Sequence, residues 1–188
     1  MTRIIAGTAG GRRLKTPRGE STRPTSDRVR EALFSAVDAA LGSLAGLRFL
    51  DAYAGSGAVG LEARSRGAGV VTLVEHDRRT AALIRDNATT LGFTSVDVVA
   101  LPAARAFAHH PRAPYDIAFL DPPYALPDAD VLAVLALLRD HGWLAADALV
   151  VVERSSRGAP LAWPEGIVGE RSRAYGETTL WYGRATPT

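Results

Sequence analysis

The sequence predicts an α/β protein with a mostly parallel, seven-stranded sheet, helices on both faces and a C-terminal antiparallel hairpin. Two observations predict it. Between residues 47 and 153, short and continuously apolar segments alternate with segments of helical periodicity. After residue 160 that periodicity stops, and two extended segments follow one another. Apolar strands separated by helices are typical of parallel sheets buried on both faces, and 188 residues suffice for one such domain.

The N-terminal residues predict a small basic β-hairpin that precedes the α/β domain. The segments Arg3–Ala6 and Arg12–Lys15 are extended and flank a glycine-containing turn, and Pro17–Pro24 has the composition of a loop. Thr25 or Ser26 can then cap the first helix. The apolar stripe of that helix consists of Val29, Leu33, Val37 and Leu41.

The elements that follow form one domain over residues 25–188, and residues 1–24 form the hairpin arm, since no linker or repeat interrupts the later pattern. Strands are predicted over Leu47–Ala52, Val70–Glu75, Val96–Ala100, Tyr115–Leu120, Leu149–Glu153, Ile167–Arg173 and Thr178–Tyr182. Helices between them are predicted over Ala58–Ser65, Arg78–Leu91, Ala103–Ala108 and Ala129–Leu138.

The composition excludes several classes of protein. The chain has no cysteine, which rules out disulfide scaffolds, zinc–thiolate and iron–sulfur sites and a thiol nucleophile. The four histidines show no spacing typical of a metal site, so we expect no metal. No run of 18 apolar residues exists, and the first 20 residues lack the apolar core of a signal peptide. We therefore expect a cytoplasmic protein, with a monomer as the default state.

The basic residues are concentrated near the N-terminus. Net charge is +2, but residues 1–30 carry eight basic and two acidic side chains, so the remainder is net negative. Such asymmetry is typical of a protein with a polyanionic partner, although a solvated face in an arginine-rich chain is the alternative. The side chains expected to contact the phosphates of such a partner are Arg3, Arg12, Arg13, Arg23 and Arg28, with Lys15, Arg18 and Arg30 beside them. Arg28 with Asp27, and Arg30 with Glu31, could equally be structural pairs.

A glycine-rich loop follows the first predicted strand of the domain and opens a helix. Gly55, Gly57 and Gly60 match the spacing of the dinucleotide-binding fingerprint. Glu75 lies 20 residues past Gly55, at the end of the next strand, where an acid that binds ribose hydroxyls is expected. By itself this pattern fits both NAD and S-adenosylmethionine.

Asp51 favours S-adenosylmethionine. It lies four residues before Gly55, at the strand end that faces the cofactor. A carboxylate at that place repels a pyrophosphate but suits the ammonium and sulfonium groups of S-adenosylmethionine. The helix N-terminus favours the carboxylate of the same ligand.

The motif Asp-Pro-Pro-Tyr at 121–124 follows the fourth parallel strand, beside the end of the first. In a doubly wound sheet, ligands bind at this switch point. Two prolines stiffen the loop, so that the Asp121 carboxylate, the Pro122 carbonyl and the Tyr124 ring point outward. These groups suit an exocyclic amine on a planar base: the two oxygens accept its N–H groups, and the ring stacks on the base.

These motifs resemble a known family, the small-subunit rRNA guanine-N2 methyltransferases of the RsmD type. The resemblance covers nearly the whole chain. Its signs are Arg3-Ile4-Ile5-Ala6-Gly7, Gly11-Arg12-Arg13-Leu14, Arg23-Pro24-Thr25, Asp27-Arg28-Val29-Arg30-Glu31-Ala32-Leu33-Phe34, Asp51-Ala52-Tyr53-Ala54-Gly55-Ser56-Gly57, Glu75, Asp121-Pro122-Pro123-Tyr124 and Tyr175-Gly176. The Asp-Pro-Pro-Tyr motif is shared with DNA and protein methyltransferases, whereas the Arg-Pro-Thr segment is far more specific.

The resemblance implies a Rossmann-like class I fold and methylation of a guanine N2 in small-subunit rRNA, on assembled or assembling 30S subunits. It implies S-adenosylmethionine as the cofactor, with Glu75 on the ribose hydroxyls and a flipped-out base at 121–124. The expected cofactor-binding residues are Asp51, Tyr53, Gly55, Gly57, Glu75, His76, Leu101 and Asp121. The expected catalytic residues are Asp121, Pro122 and Tyr124, and Pro123 and Tyr124 are expected to contact the substrate RNA.

The sequence departs from the family pattern at two positions, and several other functions fit the same motifs. Tyr53 replaces the more usual phenylalanine, and Leu101 stands where an acidic residue often contacts adenine. The alternatives are an amino-methyltransferase acting on DNA or another RNA, a protein glutamine methyltransferase, an NAD-dependent oxidoreductase and a non-catalytic assembly factor with the same fold. The glutamine methyltransferases usually have asparagine in place of Asp121, and Asp51 opposes the oxidoreductase.

Overall fold

A computed structural model describes residues 1–19 and 25–187. The strands are β1 (Thr2–Arg3), β2 (Arg13–Leu14), β3 (Arg48–Asp51), β4 (Val70–Val74), β5 (Val96–Val99), β6 (Tyr115–Leu120), β7 (Leu144–Ser155), β8 (Ile167–Tyr175) and β9 (Thr178–Ala185). The helices are α1 (Asp27–Leu41), α2 (Ala58–Ser65), α3 (Arg78–Thr90), α4 (Ala103–Phe107) and α5 (Asp128–Asp140).

The main sheet has seven strands in the order β5-β4-β3-β6-β7-β9-β8. Strands β3 to β7 pair in parallel, whereas β9 is antiparallel to both β7 and β8. This arrangement confirms the predicted fold class, including the C-terminal hairpin. From β3 the chain adds β4 and β5 on one side of the sheet and then β6 and β7 on the other, so the carboxyl ends of β3 and β6 form the switch point at which ligands bind.

Strand β7 is longer than the sequence predicts. It begins at Leu144 rather than Leu149 and continues to Ser155. Its first residues include two alanines and Asp147 and are at least partly exposed, so this half lacks the β-branched apolar run that marks the buried half. Its register with β6 also shifts between Tyr115 and Ile117. The extension at the other end adds Arg154 and Ser155 to the strand beyond Glu153, at the carboxyl edge of the sheet.

Helix α1 follows the predicted stripe. Val29, Leu33 and Val37 are buried, and the Ser26 side chain accepts a hydrogen bond from the backbone N–H of Val29 as the N-cap. Each face of the sheet has its own apolar core. One face carries α1, α2 and α3 around Phe34 and Phe49, and the other carries α4 and α5. In the part of the chain that the structure describes, no helix combines the length and the apolar character needed to cross a bilayer.

The N-terminal hairpin packs against α2 and shares the core of the domain. Ile4 and Leu14 belong to the same apolar cluster as α1. The buried Glu62 carboxylate of α2 accepts hydrogen bonds from the backbone N–H groups of Ile5 (2.8 Å) and Ala6 (3.0 Å). Gly7 has φ +83° and lies against the Ser65 carbonyl, where a Cβ atom would clash. The arm is also bonded to α3, where the Asn87 side chain accepts from the backbone N–H of Lys15 (2.9 Å) and donates to its carbonyl (3.0 Å). Residues 1–24 as a separate unit stay a prediction.

Arg30 corrects one expectation. Its side chain is fully buried, so it does not contact phosphate. Its guanidinium donates to the Arg3 carbonyl (2.8 Å) and pairs with Asp27 (2.7 Å) and Glu62 (3.5 Å), rather than with the neighbouring Glu31. The pattern of α1 explains the burial, since Arg30 adjoins Val29 and lies one turn before Leu33 and Phe34, all of which are buried.

We expect the Glu62→Gln variant to lose about 3 kcal/mol of unfolding free energy. Arg30 would lose its buried counter-charge and keep only the half-exposed Asp27, and an amide has one oxygen for the two backbone N–H donors of Ile5 and Ala6. Urea unfolding measures the loss. Glu31→Gln, at an exposed position on α1, is the matched control and should change stability by less than about 0.5 kcal/mol. A loss at Glu62 no larger than that of the control would contradict the role given to this ion pair.

Candidate active site

Four carboxylates gather at the carboxyl edge of the parallel strands. Asp51 ends β3, Glu75 directly follows β4, Asp121 directly follows β6, and Glu153 lies near the end of β7. The sequence predicted the first three as site residues. Glu153 was missed, although a carboxylate at the end of an apolar parallel strand is a signal that could have found it.

The glycine loop after β3 needs its three glycines for different reasons. Gly55 and Gly57 have positive φ angles of +54° and +83°, which disfavour other residues. A Cβ atom on Gly60 would lie 2.6 Å from the Leu73 side chain, so this glycine permits close packing of α2 on the sheet. A Cβ atom on Gly55 would meet nothing within 4 Å among the described residues. The loop backbone at Gly55 therefore faces open space in front of α2.

Asp51 is buried and incompletely satisfied. Its Oδ2 atom accepts a hydrogen bond from the backbone N–H of Gly60 (2.9 Å). Its Oδ1 atom is buried and has no hydrogen-bond partner among residues 1–19 and 25–187. Burial, and secondly the nearby negative charge of Glu75, raise the pKa of Asp51 to about 7 despite the Gly60 bond. A buried acceptor of this kind suits a cationic partner.

Glu75 holds the glycine loop against the next strand. Its carboxylate accepts hydrogen bonds from the backbone N–H groups of Gly55 (2.9 Å) and Asp77 (2.9 Å), and the His76 ring lies 3.1 Å from the same side chain. The carboxylate is thus oriented by backbone donors before any ligand binds. Each oxygen retains acceptor capacity for a further donor such as a hydroxyl group.

A cavity of about 380 Å³ lies beside this loop. It is lined largely by apolar side chains, and it brings together four of the expected cofactor residues: Tyr53, Glu75, His76 and Leu101. Its far wall comes from α4 and α5, including Asp130 and Val134, which the sequence did not single out. The other expected cofactor residues do not line the cavity: Asp51 ends β3, Gly55 and Gly57 lie in the adjoining loop, and Asp121 follows β6.

The loop at 121–124 is fixed by side chains from outside it. The Arg154 guanidinium donates to the carbonyl oxygens of Pro123 (3.2 Å) and Leu126 (2.8 Å) and pairs with Asp128 (2.8 Å). The Tyr124 hydroxyl lies 2.7 Å from the Thr178 hydroxyl on β9. The Tyr124 side chain is nevertheless 44% exposed, so an aromatic surface faces outward beside Asp121.

Asp121 has an unusual environment for a carboxyl group. Its Oδ2 atom accepts a hydrogen bond from Thr25 (3.1 Å), whose hydroxyl lies equally close to Oε2 of Glu153 (3.1 Å). Burial, then the charge of Glu153, raise the pKa of Asp121 well above its usual range, and Asp51 adds to this. The Thr25 bond and the positive charge of Arg154 act in the opposite direction. The sequence suggested Thr25 only as a helix cap and as part of the Arg-Pro-Thr segment, but its hydroxyl makes it a site residue.

The expected phosphate contacts are mostly exposed. Arg3 and Arg13 lie opposite each other on the hairpin strands, and both are at the surface together with Arg12 and Arg28. Arg12 also donates to the Thr90 carbonyl (2.9 Å), and Arg3 lies 3.6 Å from Asp27. Arg23 lies outside the described residues. The RNA contacts themselves stay a prediction.

Comparison with known proteins places this geometry in a family. The family model described as "Conserved hypothetical protein 95" matches residues 2–184. "Ribosomal RNA small subunit methyltransferase D" of Escherichia coli strain K12 is 41% identical over 156 residues, which cover 80% of this chain and 73% of that protein. "Putative rRNA methyltransferase YlbH" of Bacillus subtilis strain 168 is 35% identical over 182 residues, covering 94% of this chain and 95% of that protein.

A solved structure agrees with the sequence matches. "Putative methyltransferase yhhF from Escherichia coli" superposes with a TM-score of 0.86 at 33% identity, covering 100% of this chain and 99% of that one. The similarity therefore extends over the whole fold, including the seven-stranded sheet and the C-terminal hairpin. On these grounds the chain belongs to the "Conserved hypothetical protein 95" family, the RsmD family, and has the class I methyltransferase fold.

Proposed function

We propose that this protein transfers a methyl group from S-adenosylmethionine to the exocyclic N2 amine of a guanine in small-subunit rRNA. The rRNA is methylated within an assembled or assembling 30S subunit. The observation that carries the proposal is the rigid 121–124 loop, which sets a largely buried carboxyl group and an exposed aromatic ring beside a cavity with a glycine loop. The names of the E. coli and B. subtilis relatives support rRNA as the substrate class. The guanine N2 position rests on the resemblance.

The chain's own residues fit S-adenosylmethionine. The buried Oδ1 atom of Asp51 lacks a hydrogen-bond partner among the described residues, and the space in front of Gly55 would be filled by any side chain there. The apolar cavity suits an adenosine group, with Glu75 for the ribose hydroxyls and Tyr53, His76 and Leu101 around the ring. When bound, S-adenosylmethionine supplies an electrophilic methyl group.

The 121–124 loop meets the chemical needs of an aromatic amine. The lone pair of such an amine is delocalised into the ring, which makes it a poor nucleophile. Hydrogen bonds from its N–H groups to Asp121 and to the Pro122 carbonyl hold the nitrogen in place and stabilise the positive charge that develops on it. Holding two reactants in place lowers a barrier by about 7–11 kcal/mol in favourable cases. Stacking on Tyr124 adds about 1–3 kcal/mol of base binding.

The test is methyl transfer from labelled S-adenosylmethionine to small ribosomal subunits that lack the modification, followed by digestion and mass spectrometry of the labelled nucleoside. N2-methylguanosine is the expected product. Label on adenosine or cytidine would overturn the guanine assignment. Absence of transfer to the subunits and to their naked RNA would overturn the rRNA proposal, and DNA, other RNA and protein substrates, or an assembly role without catalysis, would then be compared.

Under this proposal the basic hairpin contacts RNA phosphates. We expect the Arg12→Ala, Arg13→Ala double variant to bind rRNA more weakly. The plot of log affinity against log salt concentration should also become less steep by about 1 to 2, because binding that makes fewer phosphate contacts releases fewer counterions. Filter binding over a salt series measures both quantities. Arg112→Ala is the matched control, because Arg112 is an exposed arginine in the loop before β6 and is not part of the hairpin. An unchanged slope in the double variant would remove the hairpin from the RNA-binding surface.

A further inference from the structure

The Thr25 hydroxyl lies between the buried carboxyl group of Glu153 and the partly buried carboxyl group of Asp121. Its oxygen is 3.1 Å from Oδ2 of Asp121 and 3.1 Å from Oε2 of Glu153. Asp121, in the loop after β6, is 96 positions from Thr25 in sequence, and Glu153, on β7, is 128 positions from it. Thr25 directly precedes the Ser26 cap of α1, so the start of this helix is placed over the active-site edge.

A threonine hydroxyl has one proton to donate, so it donates to only one of the two carboxyl groups at a time. It can accept from the other if that group is protonated. The arrangement is therefore fully bonded when the Asp121–Glu153 pair carries one proton. Two carboxyl groups that share a site in this way do not both ionise readily.

The other charges around Asp121 leave Glu153 as its largest electrostatic neighbour. Asp51 on β3 adds a smaller repulsion, and Arg154 on β7 adds an attraction that opposes it. The Arg154 guanidinium is already bonded to Pro123, Leu126 and Asp128. Glu153 itself is 5% exposed, so solvent screens its charge weakly.

We propose that Thr25 and Glu153 are positioning residues for the methyl transfer, which orient the Asp121 carboxyl group and set its affinity for the amine proton. This inference rests on the proposed function. As the nitrogen lone pair forms the bond to the methyl carbon and the methyl–sulfur bond breaks with its electrons left on sulfur, the nitrogen becomes acidic. Its N–H bond then breaks with the electrons left on nitrogen, and the proton passes to the Asp121 carboxylate. A repulsive neighbour makes Asp121 a stronger base for that proton, and the Thr25 bond moderates it.

The proposal assigns opposite pH effects to two variants. In Glu153→Gln the repulsion is gone but the hydrogen-bond acceptor remains, so the acid limb of the rate–pH profile should move down by about 1 pH unit. In Thr25→Val the bond that favours the ionised Asp121 is lost, so the limb should move up by about 0.5 to 1 pH unit. Thr25→Ser keeps the hydroxyl and should leave the limb within about 0.3 pH units of the wild-type position.

Two measurements test these shifts. Single-turnover methyl transfer to small subunits gives the rate–pH profile, and a ¹³C carboxyl titration, with the signal assigned through Asp121→Asn, follows Asp121 in the free protein. The titration needs no substrate, so it tests the inference even if the rRNA proposal fails. Displacements in opposite directions, with Thr25→Ser like the wild type, support the inference. Displacements in the same direction, or a fall in rate with an unmoved Asp121 titration, would overturn it and leave both residues with a packing role.

Discussion

Replacing Asp121 with alanine is expected to lower the single-turnover rate of methyl transfer to rRNA by about 10³-fold, measured at a concentration of S-adenosylmethionine that saturates the variant. The carboxyl group is held by Thr25 beside the exposed Tyr124 ring, where it would accept the amine N–H and later its proton. Positioned charge stabilisation contributes about 10²–10³ to rate, and proton acceptance contributes about 10²–10⁴. Rapid-quench kinetics with labelled donor gives the rate, and calorimetry gives the affinity for S-adenosylmethionine.

Asp116→Asn is the matched control for this experiment. Asp116 is on the same strand, β6, but at its opposite end, where it accepts a hydrogen bond from the Arg48 backbone (2.8 Å), and asparagine can keep that bond. We expect the control to retain the wild-type rate within about twofold. If Asp121→Ala retained more than a tenth of the wild-type rate, the loop carboxylate would not be the group that holds the amine. A protein that only binds RNA would be indifferent to the change.

Asp51→Asn is expected to stabilise the free protein at pH 8 while it weakens binding of S-adenosylmethionine. Burial raises the pKa of Asp51 from 3.8 to about 7, so the folded state favours the protonated acid. The contribution of this group to stability is therefore complete below pH 3.8 and is lost as the pH rises through 7. The two pKa values correspond to about 4 kcal/mol of lost stability at pH 8. Asparagine never ionises, so it does not incur this loss.

The comparison across pH isolates the effect from any packing change. The gain in unfolding free energy of Asp51→Asn over the wild type should be about 3 kcal/mol larger at pH 8 than at pH 4.5. Urea unfolding of both proteins at each pH measures this difference. At pH 8 the affinity for S-adenosylmethionine should fall by about 10²-fold or more, because a cationic group would lose its buried partner. In the wild type the affinity should rise as the pH approaches 7. A stability difference that does not depend on pH would show that Asp51 does not ionise near neutral pH.

The element pattern and the two loop motifs could be predicted from the sequence because both depend on local chemistry. Strand β6 and helix α2 have the predicted bounds, and the other parallel strands differ mainly at their ends. Gly57 has a left-handed conformation, which fits the tight turn for which the glycine-rich loop was recognised. Apolar periodicity, glycine conformation and proline stiffness act over a few residues, so a linear chain displays them directly.

What only the tertiary structure decided is which polar groups meet. Arg30 looked like a phosphate contact within a basic segment, but it is buried against Glu62, 32 positions later. Thr25 looked like a helix cap, but its hydroxyl joins Asp121 to Glu153. A buried charge is tolerated only where the fold places its partner, and that placement depends on strand order and helix docking rather than on neighbouring residues. The sequence by itself thus determined the fold class and the motifs of the site, whereas the packing of α1 and β7 around Asp121 determined its electrostatic environment.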